Sequence, residues 1–156
     1  MRKLLFLLLL LLSAKVEAQD KPVVDWADKT SYATAATSPS ASLIEAVRGE
    51  SKKCDLLKLG LKEVLANGVG ITIKHFVVSP RPCLGCPPDG MPSGHTWNSF
   101  IGNDWRFALS FGITTGVLRH TANRHTWKQV AAGALLGVGS DVAGELIMNR
   151  LAVCGG

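Results

Sequence analysis

The sequence predicts an all-α fold, a compact helical bundle, and three observations support that prediction. From residue 43 onward apolar residues recur at intervals of three and four, the period of a helix buried on one face. No stretch sustains the apolar–polar alternation of a half-buried strand. Residues 130–148, VAAGALLGVGSDVAGELIM, are rich in small side chains that let neighbouring helices approach closely. A chain of 156 residues has room for one such domain.

Residues 1–18 have the organisation of a signal peptide. Arg2 and Lys3 form a positive start, residues 4–12 are a nearly pure leucine run, and residues 16–18 are a small-residue cleavage signal. The alternative is an uncleaved anchor, but the apolar run falls short of the about 20 residues that span a bilayer. We therefore expect cleavage and export, to the periplasm or to the outer face of the cytoplasmic membrane.

The charge of the remaining chain excludes one class of partner. Removing residues 1–18 takes away three basic residues and one acidic residue, so the formal charge falls from +5 to +3. Charges of both signs are scattered, without the arginine-rich or aromatic-interleaved stripe that nucleic acid requires. We expect no nucleic-acid partner.

Residues 19–42 are polar and small and predict an extended N-terminal segment, whereas residues 43–156 predict the helical domain. Within the domain we expect a helix over 61–78, with a break near the glycines at 67–70, and further helices over 96–118 and 126–151. Residues 79–92 contain five prolines and two glycines, so they predict a loop. Because Asp141 and Glu145 interrupt the last helix, no segment after the signal offers a full apolar span.

Four cysteines remain after the signal segment, at positions 54, 83, 86 and 154. In an exported protein they are expected to form disulfides, and the sequence leaves all three possible pairings open. Cys83 and Cys86 also have the spacing of half a zinc site or of a redox pair. A zinc site needs a second such pair and a thioredoxin-like motif needs a βαβ unit, and the sequence contains neither.

Three basic clusters occur at predicted helix boundaries. Lys74 and Arg81 come first, the stretch Pro92-Ser93-Gly94-His95 follows, and the third cluster runs from Arg119 to His125. Helix ends can meet at one end of a bundle, which would pool three cations, two histidines and the backbone N–H groups at Ser93 and Gly94. Such a set of donors is typical of a phosphate site. Arginine binds phosphate oxygens bidentately, whereas lysine acts as a point charge.

These three clusters resemble the three-part signature of the type 2 phosphatidic acid phosphatase superfamily, which includes bacterial acid phosphatases and vanadium haloperoxidases. The order and internal spacings match over residues 74–133, and Val130-Ala131-Ala132-Gly133 is similar to the family's continuation. The resemblance implies a helical fold and a phosphatase that needs neither a metal ion nor a cofactor. It also implies a phosphate-bearing substrate, either lipid-linked or a small organic phosphomonoester or pyrophosphate, and contact with a membrane surface.

The resemblance also implies a role for each matched residue. His125 would be the nucleophile that forms a phosphohistidine, and His95 the general acid that protonates the leaving oxygen. The phosphate-binding residues would be Lys74, Arg81, Ser93, Gly94 and Arg119. His95 would thus work with His125 and not with the neighbouring Ser93.

Two positions depart from the family pattern. Leu118 stands where the family usually has serine, and Gln129 stands where it has the aspartate that orients the nucleophilic histidine. Gln129 can still accept a hydrogen bond from the His125 ring, but it supplies no charge. The alternative function is therefore a catalytically weakened member that binds phosphate or another anion. A vanadate-dependent haloperoxidase ranks last, because this chain lacks the larger scaffold of such enzymes.

Overall fold

The computed structural model of the protein describes residues 21–48, 52–102 and 104–151. These residues form five helices: α1 (Lys21–Arg48), α2 (Lys52–Phe76), α3 (Gly94–Ser99), α4 (Trp105–Thr121) and α5 (Trp127–Arg150). The described residues contain no strand, only an isolated bridge between Ser79 and Asp89. The all-α prediction is confirmed. The expected signal segment at residues 1–18 lies outside the described residues, as does Cys154.

The short helix α3 lies at the centre and contacts each of the other four helices. Its Trp97 is only 4% exposed and packs in a core with Leu59, Ala66 and Ile101. Around this centre α1 packs against α4, and α2 packs against α5. The cluster at residues 92–95 is therefore fixed at the start of the most enclosed helix.

Close approach to α3 requires glycine on two of the surrounding helices. A Cβ atom on Gly133 of α5 would lie 2.6 Å from the Ser93 carbonyl oxygen. A Cβ on Gly70 of α2 would lie 2.6 Å from the Trp97 ring. The break predicted near residues 67–70 is wrong, because α2 runs unbroken through a glycine that makes room for a neighbour.

The N-terminal segment differs from its prediction. Residues 21–42 were expected to be extended, but they are helical and belong to α1, which continues to Arg48. Its buried residues are small rather than large and apolar: Ala27, Ser31, Ala35, Ser42 and Ala46. Small residues on the buried face do not produce the periodic hydrophobic pattern of a helix, so the composition of this segment was typical of a loop.

The helix predicted over residues 96–118 is interrupted. It forms α3 and α4, and Asp104 begins α4 by accepting a hydrogen bond from the Arg106 N–H at 2.8 Å. Such a cap satisfies a helix N–H that has no partner within the helix. The helix predicted over residues 126–151 is confirmed as α5, with Thr126 as its N-cap.

By length and composition, α5 is the one helix in the described part of the chain that could cross a membrane, and 28% of its most apolar window is buried. Asp141 and Glu145 within α5 were expected to rule out a membrane span. Both are paired: Lys62, 1% exposed, lies 3.0 Å from Asp141 Oδ1 and 2.8 Å from Glu145 Oε1.

Candidate active site

The three basic clusters meet at one end of the bundle. Lys74 lies near the end of α2, Arg81 in the loop after it, and Arg119 near the end of α4. Burial lowers the pKa values of both His95 and His125, and the charges of the same three cations lower them further. An effect on both imidazoles requires all five groups to lie close together.

A tight turn between α4 and α5 carries His125 into this group. The Arg119 carbonyl oxygen accepts hydrogen bonds from the N–H groups of Arg124 at 3.1 Å and His125 at 3.2 Å. Asn123 adopts the left-handed conformation, with φ of 53°, which asparagine tolerates better than most residues. The backbone thereby brings His125 back beside Arg119.

Gln129 holds the His125 ring, and its own hydrogen bonds determine which way its amide faces. Its Nε2 donates to Ser79 Oγ and to the Pro80 carbonyl oxygen, both at 2.8 Å, while its Oε1 accepts from the Thr126 N–H at 3.0 Å. A carbonyl can only accept and a backbone N–H can only donate, so Oε1 is the amide atom that faces His125 Nδ1, 3.3 Å away. His125 Nδ1 must then carry the proton, which leaves a lone pair on Nε2.

His125 is also uncharged near neutral pH. The residue is 1% exposed, and burial, followed by the charges of Arg119 and Arg81, lowers its pKa to about 3. The hydrogen bond with Gln129 acts in the opposite direction but is outweighed. A neutral imidazole surrounded by cations is suited to attack an anionic phosphate.

His95 follows Gly94 in the first turn of α3 and is partly buried. Burial, followed by the charge of Arg119, lowers its pKa to about 4, and Asp28 partly offsets this. The Tyr32 ring of α1 packs edge-on against the imidazole with centroids 4.4 Å apart, and the Arg119 guanidinium lies 5.6 Å from the same tyrosine ring. Tyr32 therefore contacts both His95 and Arg119.

Asp28 of α1 joins two arginines of the third cluster. Its Oδ1 accepts from Arg119 Nη1 at 2.8 Å, and its Oδ2 accepts from Arg124 Nη2 at 2.6 Å. The packing explains Leu118: it forms a buried apolar cluster with Ala27 and Ala122. Because Ala27 precedes Asp28 and Leu118 precedes Arg119, this contact brings the carboxylate to the guanidinium.

The other two cations are engaged by Asp89. Arg81 Nη2 lies 2.8 Å from Asp89 Oδ1, and Lys74 Nζ donates to the Asp89 carbonyl oxygen. Between Arg81 and Asp89 the loop is closed by a disulfide that joins Cys83 to Cys86. The prediction of disulfides is confirmed for this pair, and Cys54 is not free either.

Ser93 is fully buried, and its backbone N–H already has a hydrogen-bond partner. Its N–H donates to the Gln129 carbonyl oxygen at 3.0 Å, and its Oγ accepts from Thr96 Oγ1 at 2.9 Å. The expectation of a free N–H at Ser93 is therefore wrong, because this group ties α3 to α5. Gly94 is the first residue of α3.

Two arginine donors remain without partners. The Nε atoms of Arg81 and Arg119 are buried and have no hydrogen-bond acceptor among the described residues. Buried donors of this kind need a partner, and a bound anion is one that suits a guanidinium. Within the described ranges no group of three or more His, Cys, Asp or Glu side chains could hold a metal ion.

A pocket of about 360 Å³ lies next to His95. Residues of α1, α2 and α3 line it, including Tyr32, Ala35, Pro39, Glu63, His95 and Asn98. The volume is at the lower end of the roughly 300–1,000 Å³ usual for small-molecule sites.

Three residues that contact the predicted site were not predicted from the sequence: Asp28, Tyr32 and Asp89. The first two lie in the segment that was expected to be extended, where they belong to no motif. Asp89 lies in the proline-rich loop, and only its position between Arg81 and Ser93 could have suggested it.

The five helices form the bundle that was expected from the core of the type 2 phosphatidic acid phosphatase fold, and that prediction is confirmed. No protein-family model matches the chain, and no curated protein matches it significantly.

Among solved structures, the chain is similar to the crystal structure of Aquifex aeolicus LpxE. The two share 20% sequence identity with a TM-score of 0.64, over 91% of this chain and 94% of that one. At this identity the likeness shows the fold.

Proposed function

We propose that the protein is a phosphatase that hydrolyses phosphate esters through a phosphohistidine intermediate. The observation that carries the proposal is the amide of Gln129, which keeps the proton on His125 Nδ1 and leaves the Nε2 lone pair among three cations. The helical fold, shared with the solved structure of LpxE, agrees with the fold that the resemblance implies.

In the proposed reaction His125 Nε2 forms a bond to phosphorus while the bond from phosphorus to the leaving oxygen breaks. His95 gives its proton to that oxygen, so the alcohol leaves neutral. His95, now a base, takes a proton from a water molecule whose oxygen attacks the phosphohistidine. Phosphate is released, and both histidines return to their starting forms.

The cations have two roles in this scheme. Lys74, Arg81 and Arg119 offset the charge that develops on the equatorial oxygens of the transition state, and no metal ion or cofactor enters the proposal. Together with burial, which is the larger cause, they lower the pKa of His95 and keep it unprotonated in the ligand-free protein. A bound phosphate dianion offsets them, so we expect the pKa of His95 to rise when substrate binds, which supplies the acid.

One observation favours the alternative of an anion-binding protein without turnover. Asp28 and Asp89 already pair with Arg119 and Arg81, the proposed phosphate ligands, so less of their positive charge is available to stabilise the transition state of hydrolysis. Phosphate binding without any hydrolysis would support that alternative.

The function is tested with His125→Ala and 4-nitrophenyl phosphate. The parent should turn over this substrate and form an acid-labile phosphoprotein. The variant should lose activity by roughly 10³-fold or more, as when a nucleophile is removed, and form no phosphoprotein. His75→Ala, at an exposed histidine outside the site, is the matched control and should behave as the parent. Undiminished activity in His125→Ala would rule out the mechanism.

We also propose that the protein is exported and works at a membrane surface. An apolar stripe on α5, formed by Leu135, Val138, Val142 and Leu146, is between 45% and 76% exposed. An exposed apolar stripe on one helix face is typical of a surface that contacts lipid or another protein.

Membrane contact is tested by flotation with phospholipid vesicles. The purified protein should float with the vesicles, and the double variant Val138→Asp, Val142→Asp should remain at the bottom. The control Ser40→Asp, Ala41→Asp adds the same charge at exposed positions of α1. Equal flotation of all three proteins would show that the stripe does not contact lipid.

A further inference from the structure

The pocket next to His95 lies where a leaving group would be held. In the proposed reaction His95 protonates the oxygen that departs from phosphorus, so the group attached to that oxygen must occupy space beside His95. Gly94 and His95 both line the pocket. Among the described residues that line the pocket, Gly94 is the one that was predicted to bind phosphate, so the leaving group meets a largely different set of residues.

The walls of the pocket carry no positive charge other than that available to His95. Helix α1 contributes Tyr32, Ala35, Ala36 and Pro39, while Glu63 comes from α2 and Asn98 from α3. Neither lysine nor arginine is among the described residues that line it. A leaving group in this pocket therefore meets apolar side chains, an amide and a carboxyl group.

Glu63 makes the pocket unfavourable for an anion. Its Oε2 accepts a hydrogen bond from Asn67 Nδ2 at 3.0 Å, a neutral donor that does not cancel a charge. Burial raises the pKa of the Glu63 carboxyl group, so its ionised form is poorly solvated. A second negative charge in the pocket would be repelled by the ionised Glu63 carboxylate, and the lining contains no lysine or arginine that would pair with it directly.

We infer that this pocket is a leaving-group subsite that accepts uncharged alcohols and, through Glu63, rejects the anionic leaving group of a pyrophosphate. The inference rests on the proposed function and narrows its substrate to phosphomonoesters. Cleavage of a monoester places a neutral alcohol in the pocket once His95 has donated its proton. Cleavage of the terminal phosphoryl group of a pyrophosphate places a phosphate anion there instead.

The test compares hexyl phosphate with hexyl pyrophosphate, which share one tail and differ in the charge of the leaving group. The parent should show the higher kcat/KM with hexyl phosphate. Glu63→Gln keeps the size of the side chain and removes its charge, so it should narrow the ratio by about tenfold, a plausible size for one charge pair near a protein surface. Glu45→Gln is the matched control on exposed α1 and should leave the ratio unchanged.

A binding measurement separates this inference from the proposed function. Calorimetry can use hexylphosphonate and the hexyl ester of methylenebisphosphonate. In both compounds carbon replaces the oxygen of the bond that would be cleaved, so neither is hydrolysed there. The parent should bind hexylphosphonate more tightly, and Glu63→Gln should lose that preference. Absence of turnover together with that binding preference would reject the phosphatase and keep the subsite. Turnover of both esters with a ratio unaffected by Glu63→Gln, or a preference for pyrophosphate in the parent, would overturn the subsite and keep the phosphatase.

Discussion

Gln129 stands where the family that the sequence resembles has an aspartate, and both polar atoms of its amide form hydrogen bonds in the site. Its Oε1 faces the His125 ring and the Thr126 N–H, and its Nε2 donates to Ser79 Oγ and the Pro80 carbonyl oxygen. It also completes the capping box that begins α5. A carboxylate can reproduce the contacts of Oε1 but not those of Nε2, because it has no N–H to donate.

We therefore expect Gln129→Asp and Gln129→Glu to lower kcat rather than raise it. Either carboxylate would face the Pro80 carbonyl oxygen without a hydrogen atom to donate to it. Loss of a buried hydrogen bond typically costs about 1–3 kcal/mol, and we expect kcat to fall by about tenfold or more. Gln129→Asp should be the worse of the two because its shorter side chain also leaves the capping box. Steady-state kinetics with 4-nitrophenyl phosphate give kcat and KM, and urea unfolding gives the stability.

The exposed neighbour Lys128, changed to Ala, provides the control for Gln129 and should alter neither quantity strongly. A rise in kcat for Gln129→Asp, with KM unchanged, would show instead that the missing carboxylate limits the rate of the parent.

At the scale of elements, α1 forms part of the site even though its sequence carries no motif. Asp28 binds Arg119 and Arg124, and Tyr32 packs against His95. The buried contact of Ala27 with Leu118 docks the helix at this point. Helix packing thus gives a structural reason for Leu118, the other departure from the family pattern.

Asp28→Asn should separate positioning from folding. Removing the carboxylate leaves Arg119 held less firmly but makes the site more positive. We expect vanadate to bind at least as tightly as in the parent while kcat falls by about tenfold, because misplacement of a charged ligand affects the transition state most. The pH dependence of kcat should show a pKa for the protonation of His95. The loss of Asp28 should shift that pKa to lower pH, since the carboxylate raises the pKa of His95.

Asp25→Asn, at an exposed position one turn earlier on α1, removes the same charge and should change none of these quantities substantially. A parallel loss of vanadate affinity and kcat in Asp28→Asn, with lower thermal stability, would assign Asp28 a structural role only.

Secondary structure was predictable where local signals were strong. The start of α5 has a polar cap before a long apolar helix, and the five prolines at residues 79–92 exclude a regular element there. The prediction failed for α1, whose packing face is made of alanines and serines, and for the junction of α3 and α4, where the cap at Asp104 overrides an apolar period.

At the scale of the whole molecule, the two buried histidines link stability to pH. Their pKa values in the folded state, about 4 for His95 and about 3 for His125, lie below the ordinary value of 6.5. Below pH 6.5 the unfolded chain binds protons that the folded protein does not, so folding loses stability as the pH falls towards the folded values. Above that pH neither state is protonated and their contribution is constant.

We expect the free energy of unfolding to decrease as the pH is lowered from about 7 to about 4.5. The decrease should be smaller for His125→Asn than for the parent. The two decreases should differ by an amount on the order of 2 kcal/mol, because in this pH range His125 takes up a proton in the unfolded chain but not in the folded protein. Urea unfolding of both proteins at the two pH values measures it, and the shared carboxylates cancel in the comparison. Equal losses in parent and variant would show that His125 titrates normally in the folded protein.

The sequence by itself determined the helical class, the three clusters and their order, because helical period, proline and motif spacing act over a few residues. It also placed every cluster at a helix end, which made a common site geometrically feasible. Only the tertiary structure decided that Asp28, 91 residues from Arg119, completes the ion pair, that Tyr32 contacts His95, and that Glu63 lines the pocket beside them. Contacts between residues so far apart depend on how helices pack, and small buried alanines and glycines that direct this packing leave almost no periodic signal in the chain.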